Sequence, residues 1–273
     1  MRVVLFGAGG MLATALADAY RHDDLTLLAE RDCDITKPDQ VETALNRIRP
    51  SLVINAAAYT NVDGCEEEPD LANAVNGEAV GTIGHGAKRL GATVVHLSTD
   101  YVFDGTSPSG YAEDAPVAPL SAYGRSKALG ERRLAESGAN FYLVRTAWLF
   151  GPHGKNFVET MLQLSKKKRS LKVVNDQTGS PTYTRDLADA VHRLVASAAP
   201  VGIYHRTNDG AVTWYEFART IFRLAGRRVD VQPCTTDEFP RPAKRPANAV
   251  LQTTKLPPLR PWRDALAAYL TQR

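Results

Sequence analysis

A tyrosine and a lysine four residues apart, Tyr123 and Lys127, form the part of this sequence with the clearest chemical potential. On a helix this spacing puts both side chains on one face, one turn apart, where the ammonium group can act on the phenol. Free tyrosine has a pKa of about 10, so it is a suitable acid at neutral pH, and a nearby cation favours the tyrosinate left behind. The pattern therefore predicts a proton donor. The competing interpretation is an amphipathic tyrosine beside a solvated lysine.

A glycine-rich turn near the start of the chain supports the chemical interpretation. The apolar run at residues 3–6 predicts a buried strand at about residues 2–6, and a helix is predicted from about Gly10 to Tyr20. Gly7 permits a tight turn between them, and Gly10 lets a phosphate approach the backbone. The first helical residues, Met11 and Leu12, would then present their amides to a dinucleotide pyrophosphate. A plain strand-to-helix connection is the alternative.

The residues after the second predicted strand concern the choice of cofactor. An acid about 20 residues beyond the glycine turn can bind the adenosine ribose, and an arginine there accommodates a 2′-phosphate. Glu30 and Arg31 stand side by side, so the sequence favours NADPH and keeps NADH as the alternative. Asp34 and Ile35 follow, and a carboxylate there could meet the adenine amino group. A turn or capping role for Asp34 fits the spacing equally well.

A third buried strand, residues 52–55, runs into Ala57, Ala58 and Tyr59, where small side chains leave room for a flat cofactor. A fourth strand, residues 94–98, delivers Thr99 to the same edge. Ligands of open parallel sheets bind beyond the carboxyl ends of the strands, so these positions are candidates for the cofactor site. Alternating strands and helices predict an α/β fold, a Rossmann-like doubly wound parallel sheet with a smaller substrate-binding lobe.

Composition excludes several classes of protein. The 273 residues carry 33 Lys and Arg against 30 Asp and Glu, a net charge of +3 that gives no reason to expect a nucleic-acid partner. No apolar run approaches the roughly 18 residues that a membrane helix needs. Three scattered cysteines indicate a reducing compartment. We therefore expect a cytoplasmic protein without membrane contact.

Several longer motifs resemble the extended short-chain dehydrogenase/reductase superfamily, and within it the dTDP-4-dehydrorhamnose reductase family. Matches span nearly the whole chain, and the most specific are residues 98–105 (STDYVFDG) and 175–182 (NDQTGSPT). The others are residues 55–63 (NAAAYTNVD), 123–127 (YGRSK), 145–151 (RTAWLFG), 156–157 (NF) and 245–248 (RPAN).

The resemblance implies reduction of the 4-keto group of dTDP-4-dehydro-L-rhamnose to give dTDP-L-rhamnose. Tyr123 would protonate the developing alkoxide, and Lys127 would supply the cation and bond the nicotinamide ribose. Thr99 would hydrogen-bond the ketone oxygen. The same analogy adds four substrate-binding candidates, Asp100, Tyr101, Trp148 and Asn156. The alternatives are that Asp100 caps a turn, that Tyr101 packs and that Trp148 belongs to the core.

Relatives in this family that bind magnesium do so through carboxylates at a dimer contact. The comparable positions here are Ala15 and Arg185, and the six histidines show no metal-ligand spacing. This departure argues against Mg²⁺ and predicts no metal site, and it favours a monomer or a weak homodimer. Two alternative functions stay open: a reductase or epimerase of another nucleotide sugar, and a non-catalytic NADP-binding regulatory subunit.

Two units are expected, a dinucleotide-binding domain over residues 1–150 and a substrate-binding lobe over 151–273. A segment near 182–206 is predicted to return to the main sheet, because a helix starting near Thr184 precedes a short strand, residues 202–205. Trp148 is placed on the strand leading into the second lobe. The proline-rich stretch 232–261 is interpreted as an ordered irregular cover, since an amphipathic helix over 262–270 follows it.

Overall fold

The computed structural model describes all residues, 1–273, and its first half alternates buried strands with helices. The strands are β1 (Arg2–Phe6), β2 (Asp24–Leu28), β3 (Leu52–Asn55), β4 (Thr93–Thr99) and β5 (Asn140–Thr146). The helices are α1 (Met11–Ala19), α2 (Pro38–Ile48), α3 (Gly64–Glu67), α4 (Pro69–Asn73), α5 (Ala79–Leu90) and α6 (Ala122–Glu136). A π-helical turn, Ala74–Glu78, joins α4 to α5, and a 3-10 helix, Asp100–Val102, follows β4.

The second half has shorter strands. They are β6 (Leu149–Phe150), β7 (Ser170–Val174), β8 (Thr178–Gly179), β9 (Thr182–Tyr183), β10 (Gly202–His205), β11 (Val212–Thr213) and β12 (Asp230–Cys234). The helices are α7 (Phe157–Leu164), α8 (Thr184–Ala196), α9 (Trp214–Leu224) and α10 (Trp262–Gln272). None of the helices has the combination of length and apolar character that crossing a bilayer requires.

Six parallel strands form the central sheet in the order β10-β5-β4-β3-β1-β2. Its central strands carry apolar residues on both faces, as parallel strands covered on both sides do. One face packs around Val4 and Val53 against α2 and α5, and the other packs around Leu16 and Leu187, which belong to α1 and α8. The predicted doubly wound α/β fold is therefore confirmed.

The chain crosses between the two halves more than once. After the short strands β6 to β9, helix α8 lies on the same face of the sheet as α1, and β10 pairs with β5 at the sheet edge. The second half also builds a core of its own from α7, α9 and α10, in which Phe150, Phe217, Trp262 and Tyr269 pack together. Both units therefore share chain segments, and the division at residue 150 stays a prediction.

Three local features differ from the expectation. Trp148 does not lie on a strand, because its φ of +47° interrupts the extended backbone between β5 and β6. The sequence predicts one long helical region, roughly from Pro69 to Leu90, and the structure interrupts it with the π-helical turn. Part of the proline-rich stretch is regular, since β12 pairs with β7 although it includes Pro233. An edge strand tolerates proline because one side of its backbone needs no partner.

Candidate functional site

The predicted proton donor lies at the start of α6, against the end of β4. Ser121 caps this helix by accepting a hydrogen bond from the Gly124 N–H at 3.1 Å. A Cβ atom on Gly124 would lie 2.2 Å from the Tyr101 carbonyl oxygen, so only glycine allows α6 to approach the 3-10 helix this closely. The close approach brings Tyr123 beside Thr99, the last residue of β4.

Thr99, Asp100, Tyr101 and Tyr123 form one polar group. Thr99 Oγ1 donates to Asp100 Oδ1 at 2.9 Å and accepts from the Tyr101 N–H at 3.2 Å, and it lies close enough to the Tyr123 phenol to affect its pKa. The rings of Tyr101 and Tyr123 meet edge to face, with centroids 5.5 Å apart. The structure thus brings together the threonine and the tyrosine that the sequence singled out.

Burial controls the acidity of this group. It raises the pKa of Tyr123 well above its ordinary value, although the Thr99 hydroxyl acts in the opposite direction. It also raises the pKa of Tyr101 to about 12, with the nearby Asp100 carboxylate adding to the effect. The pKa of Asp100 rises to about 7, because burial outweighs its hydrogen bonds, and its Oδ2 has no partner. Tyr123 is therefore protonated at neutral pH, as a proton donor must be.

Lys127 is buried one turn after Tyr123, and its Nζ donates to the Leu97 carbonyl oxygen at 2.7 Å. Burial lowers its pKa to about 8, while the Glu131 carboxylate favours the charged form. Glu131 is itself paired: Arg145 Nη2 donates to its Oε2 at 2.6 Å, and Ser98 Oγ donates to its Oε1 at 2.6 Å. This network ties α6 to β4 and β5 beneath the site.

The glycine turn has the geometry of a phosphate cradle. A Cβ atom on Gly7 would lie 2.5 Å from the Ala57 N atom, so the turn packs directly on the chain leaving β3. Gly10 begins α1 without a side-chain cap, and the first turn of the helix contains no acidic residue. The first-turn amides, including those of Met11 and Leu12, therefore remain available to an anion. These observations fit a dinucleotide pyrophosphate.

The four candidates after β2 lie at the same edge of the sheet. Glu30 and Arg31 are exposed, and Arg31 has 88% of its side chain accessible, with Asp32 3.8 Å away. Asp34 Oδ1 accepts hydrogen bonds from the Thr36 N–H and hydroxyl at 2.9 and 2.7 Å, which lower its pKa. Asp34 thus forms a turn before α2, and Ile35 is buried in the sheet core. Their contacts with a cofactor stay predictions.

Ala57 and Ala58 are half-buried beyond β3, and Tyr59 is held in place by two residues. Its N–H donates to Asn76 Oδ1 at 2.9 Å, and its phenol donates to Glu68 Oε2 at 2.7 Å. Asn76 lies in the π-helical turn, which the sequence did not single out. The break in helical periodicity between α4 and α5 would have been the only available signal.

Trp148 and Asn156 face the second lobe. The Trp148 indole lies over Gly179, where a Cβ atom would approach it within 2.5 Å, and stacks on Trp214 with centroids 3.4 Å apart. Asn156 caps α7: its Oδ1 accepts from the Glu159 N–H at 3.1 Å, and its amide donates to the Gly151 and Gly154 carbonyls. With these groups engaged, a substrate contact of Asn156 stays a prediction. Trp214 was not anticipated, although it supports the Trp148 ring.

A salt-bridge cluster that the sequence did not predict joins the proline-rich stretch to Asp63, which follows the chain leaving β3. Arg241 and Arg245 both pair with Asp63, Arg245 at 3.1 Å, and the Ala243 N–H donates to Asp63 Oδ1 at 3.2 Å. Burial opposes the ionisation of Asp63, but these donors lower its pKa overall. The charge of Arg245 also acts to lower the pKa of Tyr101, so the cluster lies beside the catalytic candidates.

Comparison with known proteins finds similarity over the whole chain. The family model described as RmlD substrate binding domain matches residues 1–273. A dTDP-4-dehydrorhamnose reductase of Burkholderia thailandensis is 40% identical over 94% of this chain and 92% of its own length. The spore coat polysaccharide biosynthesis protein SpsK of Bacillus subtilis is 40% identical over 100% of this chain and 98% of its own length.

Solved structures agree in sequence and in fold. The crystal structure of dTDP-4-dehydrorhamnose reductase from Bacillus anthracis in complex with NADP superposes with a TM-score of 0.97, at 36% identity over 100% of this chain and 99% of that one. The dTDP-4-dehydrorhamnose reductase ortholog from Clostridium acetobutylicum has a TM-score of 0.96 and 41% identity, with the same coverage of both chains. The chain therefore belongs to the RmlD substrate binding domain family.

Proposed function

We propose that this protein reduces the 4-keto group of dTDP-4-dehydro-L-rhamnose with NADPH to give dTDP-L-rhamnose. The observation that carries the proposal is that Thr99, Tyr123 and Lys127 lie together at the carboxyl end of β4, at the same edge of the sheet as the glycine turn. It is supported by relatives named dTDP-4-dehydrorhamnose reductase that match nearly the full chain.

NADPH fits the residues present and, when bound, supplies the hydride. Gly7 and Gly10, with the amides of Met11 and Leu12, would hold the pyrophosphate. Arg31 would meet the 2′-phosphate because 88% of its side chain is exposed and its pairing with Asp32, at 3.8 Å, is loose, and Glu30 would bond the ribose. The remaining cofactor contacts are assigned to Asp34, Ile35, Ala57, Ala58, Tyr59 and Lys127.

The chain's own residues supply the proton. Thr99 holds the ketone oxygen, and Tyr123 transfers its phenolic proton to that oxygen as negative charge develops on it. The Lys127 ammonium stabilises the resulting tyrosinate. Asp100, Tyr101, Trp148 and Asn156 are assigned to the nucleotide sugar. Asp100 Oδ2 is buried and has no partner in the structure, which supports a role in accepting a hydrogen bond from a sugar hydroxyl.

The protein would act as a monomer or a weak homodimer in the cytoplasm, without metal. The reducing environment suits its three cysteines, which are free and buried. The position comparable to a family magnesium ligand on α8 is Arg185, which lies 3.9 Å from Asp18 and offers no carboxylate.

The decisive experiment mixes the purified protein with enzymatically generated dTDP-4-dehydro-L-rhamnose and follows the absorbance of NADPH, or of NADH in parallel. We expect oxidation of NADPH with dTDP-L-rhamnose as the product, and loss of turnover in Tyr123→Phe. Cofactor binding without oxidation of either cofactor would refute the assigned substrate, and a regulatory function would then have to be tested.

A second candidate is the reduction of a related dTDP sugar. A Streptomyces antibioticus protein named probable dTDP-4,6-dihydroxy-2-methyloxan-3-one 4-ketoreductase is 42% identical over 97% of this chain. Comparing kcat/KM for that ketone with the value for dTDP-4-dehydro-L-rhamnose would decide between the two substrates.

A further inference from the structure

A chain of buried polar groups runs behind Lys127, away from the reacting atoms. It begins at Asn55, the last residue of β3, and passes through His96 on β4 to the lysine. Asn55 and His96 are 1% and 0% exposed, so neither side chain exchanges hydrogen bonds with bulk water. The hydrogen-bonding role of each His96 nitrogen is therefore determined by its protein neighbours.

The backbone fixes the orientation of the Asn55 amide. Its Oδ1 accepts a hydrogen bond from the Ala57 N–H at 3.2 Å, which turns its NH2 group toward His96 Nδ1, also at 3.2 Å. An NH2 group only donates, so Nδ1 must accept. Burial and the charge of Lys127 lower the pKa of His96 well below its ordinary value, and the ring is neutral. Its single hydrogen therefore lies on Nε2.

That hydrogen points at the catalytic lysine. His96 Nε2 lies 3.5 Å from Lys127 Nζ, whose hydrogen bond to the Leu97 carbonyl oxygen occupies one of its donors. An ammonium group has no lone pair with which to accept from Nε2–H, whereas a neutral amine has one. The imidazole thus favours the uncharged form of Lys127.

We infer that Asn55 and His96 are positioning residues that control the proton affinity of Lys127, and through it the support that Lys127 gives to the Tyr123 tyrosinate. The catalytic consequence rests on the proposed reductase function. Two other ionisable groups lie near Lys127: Glu131, whose charge is balanced by Arg145 of β5, and Tyr123. Asp100 and Tyr101 act on Tyr123.

The tautomer can be observed without turnover. In protein labelled with [15N]histidine, the NMR signal of His96, assigned by its absence in His96→Gln, should show a neutral ring with the hydrogen on Nε2 at pH 7. A hydrogen on Nδ1, or a doubly protonated ring, would overturn the inference.

Two variants change the group that faces the lysine. In Asn55→Asp a carboxylate accepts from Nδ1–H, so the Nε2 lone pair turns toward the ammonium group. In His96→Leu the Nε2 donor is removed without adding a charge. In [13C]lysine-labelled protein, with the Lys127 signal assigned through Lys127→Arg, we expect both variants to raise the titration midpoint by about one pH unit or more. Unchanged midpoints in both would contradict the inference.

The same shift should appear in catalysis. The wild-type kcat should fall above pH 8 as Lys127 loses its proton, and this alkaline limb should move to higher pH by the same amount in both variants. His85→Leu, which changes an exposed histidine on α5, serves as the control, and its alkaline limb should not move.

A uniform loss of kcat with an unchanged alkaline limb would mean that Asn55 and His96 are only packing residues. Absent turnover with the expected lysine titration would instead refute the proposed function alone. If Asn55→Asp does not fold, His96→Leu and the wild-type tautomer decide.

Discussion

At the scale of single residues, the site depends on polar groups whose proton affinities are altered by burial. Tyr123, Asp100 and Lys127 are all shifted toward their neutral forms, and each has a neighbour that acts on the shift. Such clustering of perturbed groups is typical of reaction centres. It also makes the contribution of each side chain separable by pH.

Replacing Tyr123 with phenylalanine removes the proton donor and keeps the ring packed against Tyr101. We expect kcat for ketone reduction to fall by about 10²- to 10⁴-fold, the usual contribution of a general acid. Fluorescence titration should show unchanged NADPH affinity. A loss of less than tenfold would mean that another group supplies the proton.

Asp100 should make stability depend on pH. Its pKa is about 7 in the folded protein and about 4 when unfolded, so the folded state binds the extra proton between these values. Wild-type stability relative to Asp100→Asn should therefore fall by about 2 kcal/mol from pH 5 to pH 8. Urea unfolding of both proteins at the two pH values tests this, and parallel curves would contradict the raised pKa.

Arg31 should determine the preference for NADPH. Its guanidinium is exposed and has only a loose pairing with Asp32, at 3.8 Å, so Arg31→Ala should raise the KM for NADPH about tenfold, equivalent to about 1.4 kcal/mol for one charged hydrogen bond. The KM for NADH should stay the same. Arg47→Ala, which removes an exposed arginine from α2, is the matched control. Equal losses with both cofactors would place Arg31 outside the 2′-phosphate site.

At the scale of secondary structure, the glycine turn and α6 show how tightly the elements must approach. Gly7 and Gly124 both lie against backbone atoms of a neighbouring segment, closer than any side chain permits. The positions of the cofactor cradle and of the proton donor therefore depend on two missing Cβ atoms.

Gly7 and Gly9 provide a matched pair for testing this. Both have positive φ, +85° and +93°, but a Cβ on Gly9 would meet nothing within 4 Å. Gly9→Ala should cost about 1 kcal/mol of stability through backbone strain alone. Gly7→Ala should cost at least about 2 kcal/mol more and abolish NADPH binding, because the methyl group collides with Ala57. Urea denaturation and cofactor titration measure both effects, and equal costs would exclude the collision.

The sequence predicted these elements well wherever burial alone determines them. Strands β1, β3 and β4 are apolar runs bounded by turns, so their positions follow to within one residue. Trp148 was wrongly placed on a strand because a positive φ at a bulky residue leaves no mark in the sequence. The pairing of Asp63 with Arg245 joins residues 182 positions apart, and a local sequence pattern cannot predict a contact at that separation.

At the scale of the molecule, the Asp63 cluster is an ionic connection between the proline-rich stretch and the dinucleotide-binding half, beside neutral and single-charge hydrogen bonds such as those from Thr254 to Glu113. Asp63 and Arg245 keep only 16% and 17% of their side chains exposed. Removing one partner of an ion pair at this depth costs more folding stability than removing one partner of an exposed surface pair.

Asp63→Ala should therefore loosen the C-terminal cover. We expect a loss of about 1–2 kcal/mol of stability, faster proteolysis near residues 239–248 and a higher KM for the sugar nucleotide, with NADPH binding unchanged. Lys172→Ala breaks the exposed pair with Glu238 and should cost less than about 0.5 kcal/mol. If the two variants behave alike, the cluster does not hold the cover.

The position of β10 at the edge of the central sheet has a consequence for recombination between genes. A chimaera spliced once near residue 150 would take α8 and β10 from the second parent, although both must fit the α1 face and the β5 edge of the first. Crossovers at that point should give misfolded offspring unless the parents are close relatives. New sugar specificities in this family would therefore spread by substitutions around an inherited frame more readily than by exchange of whole lobes.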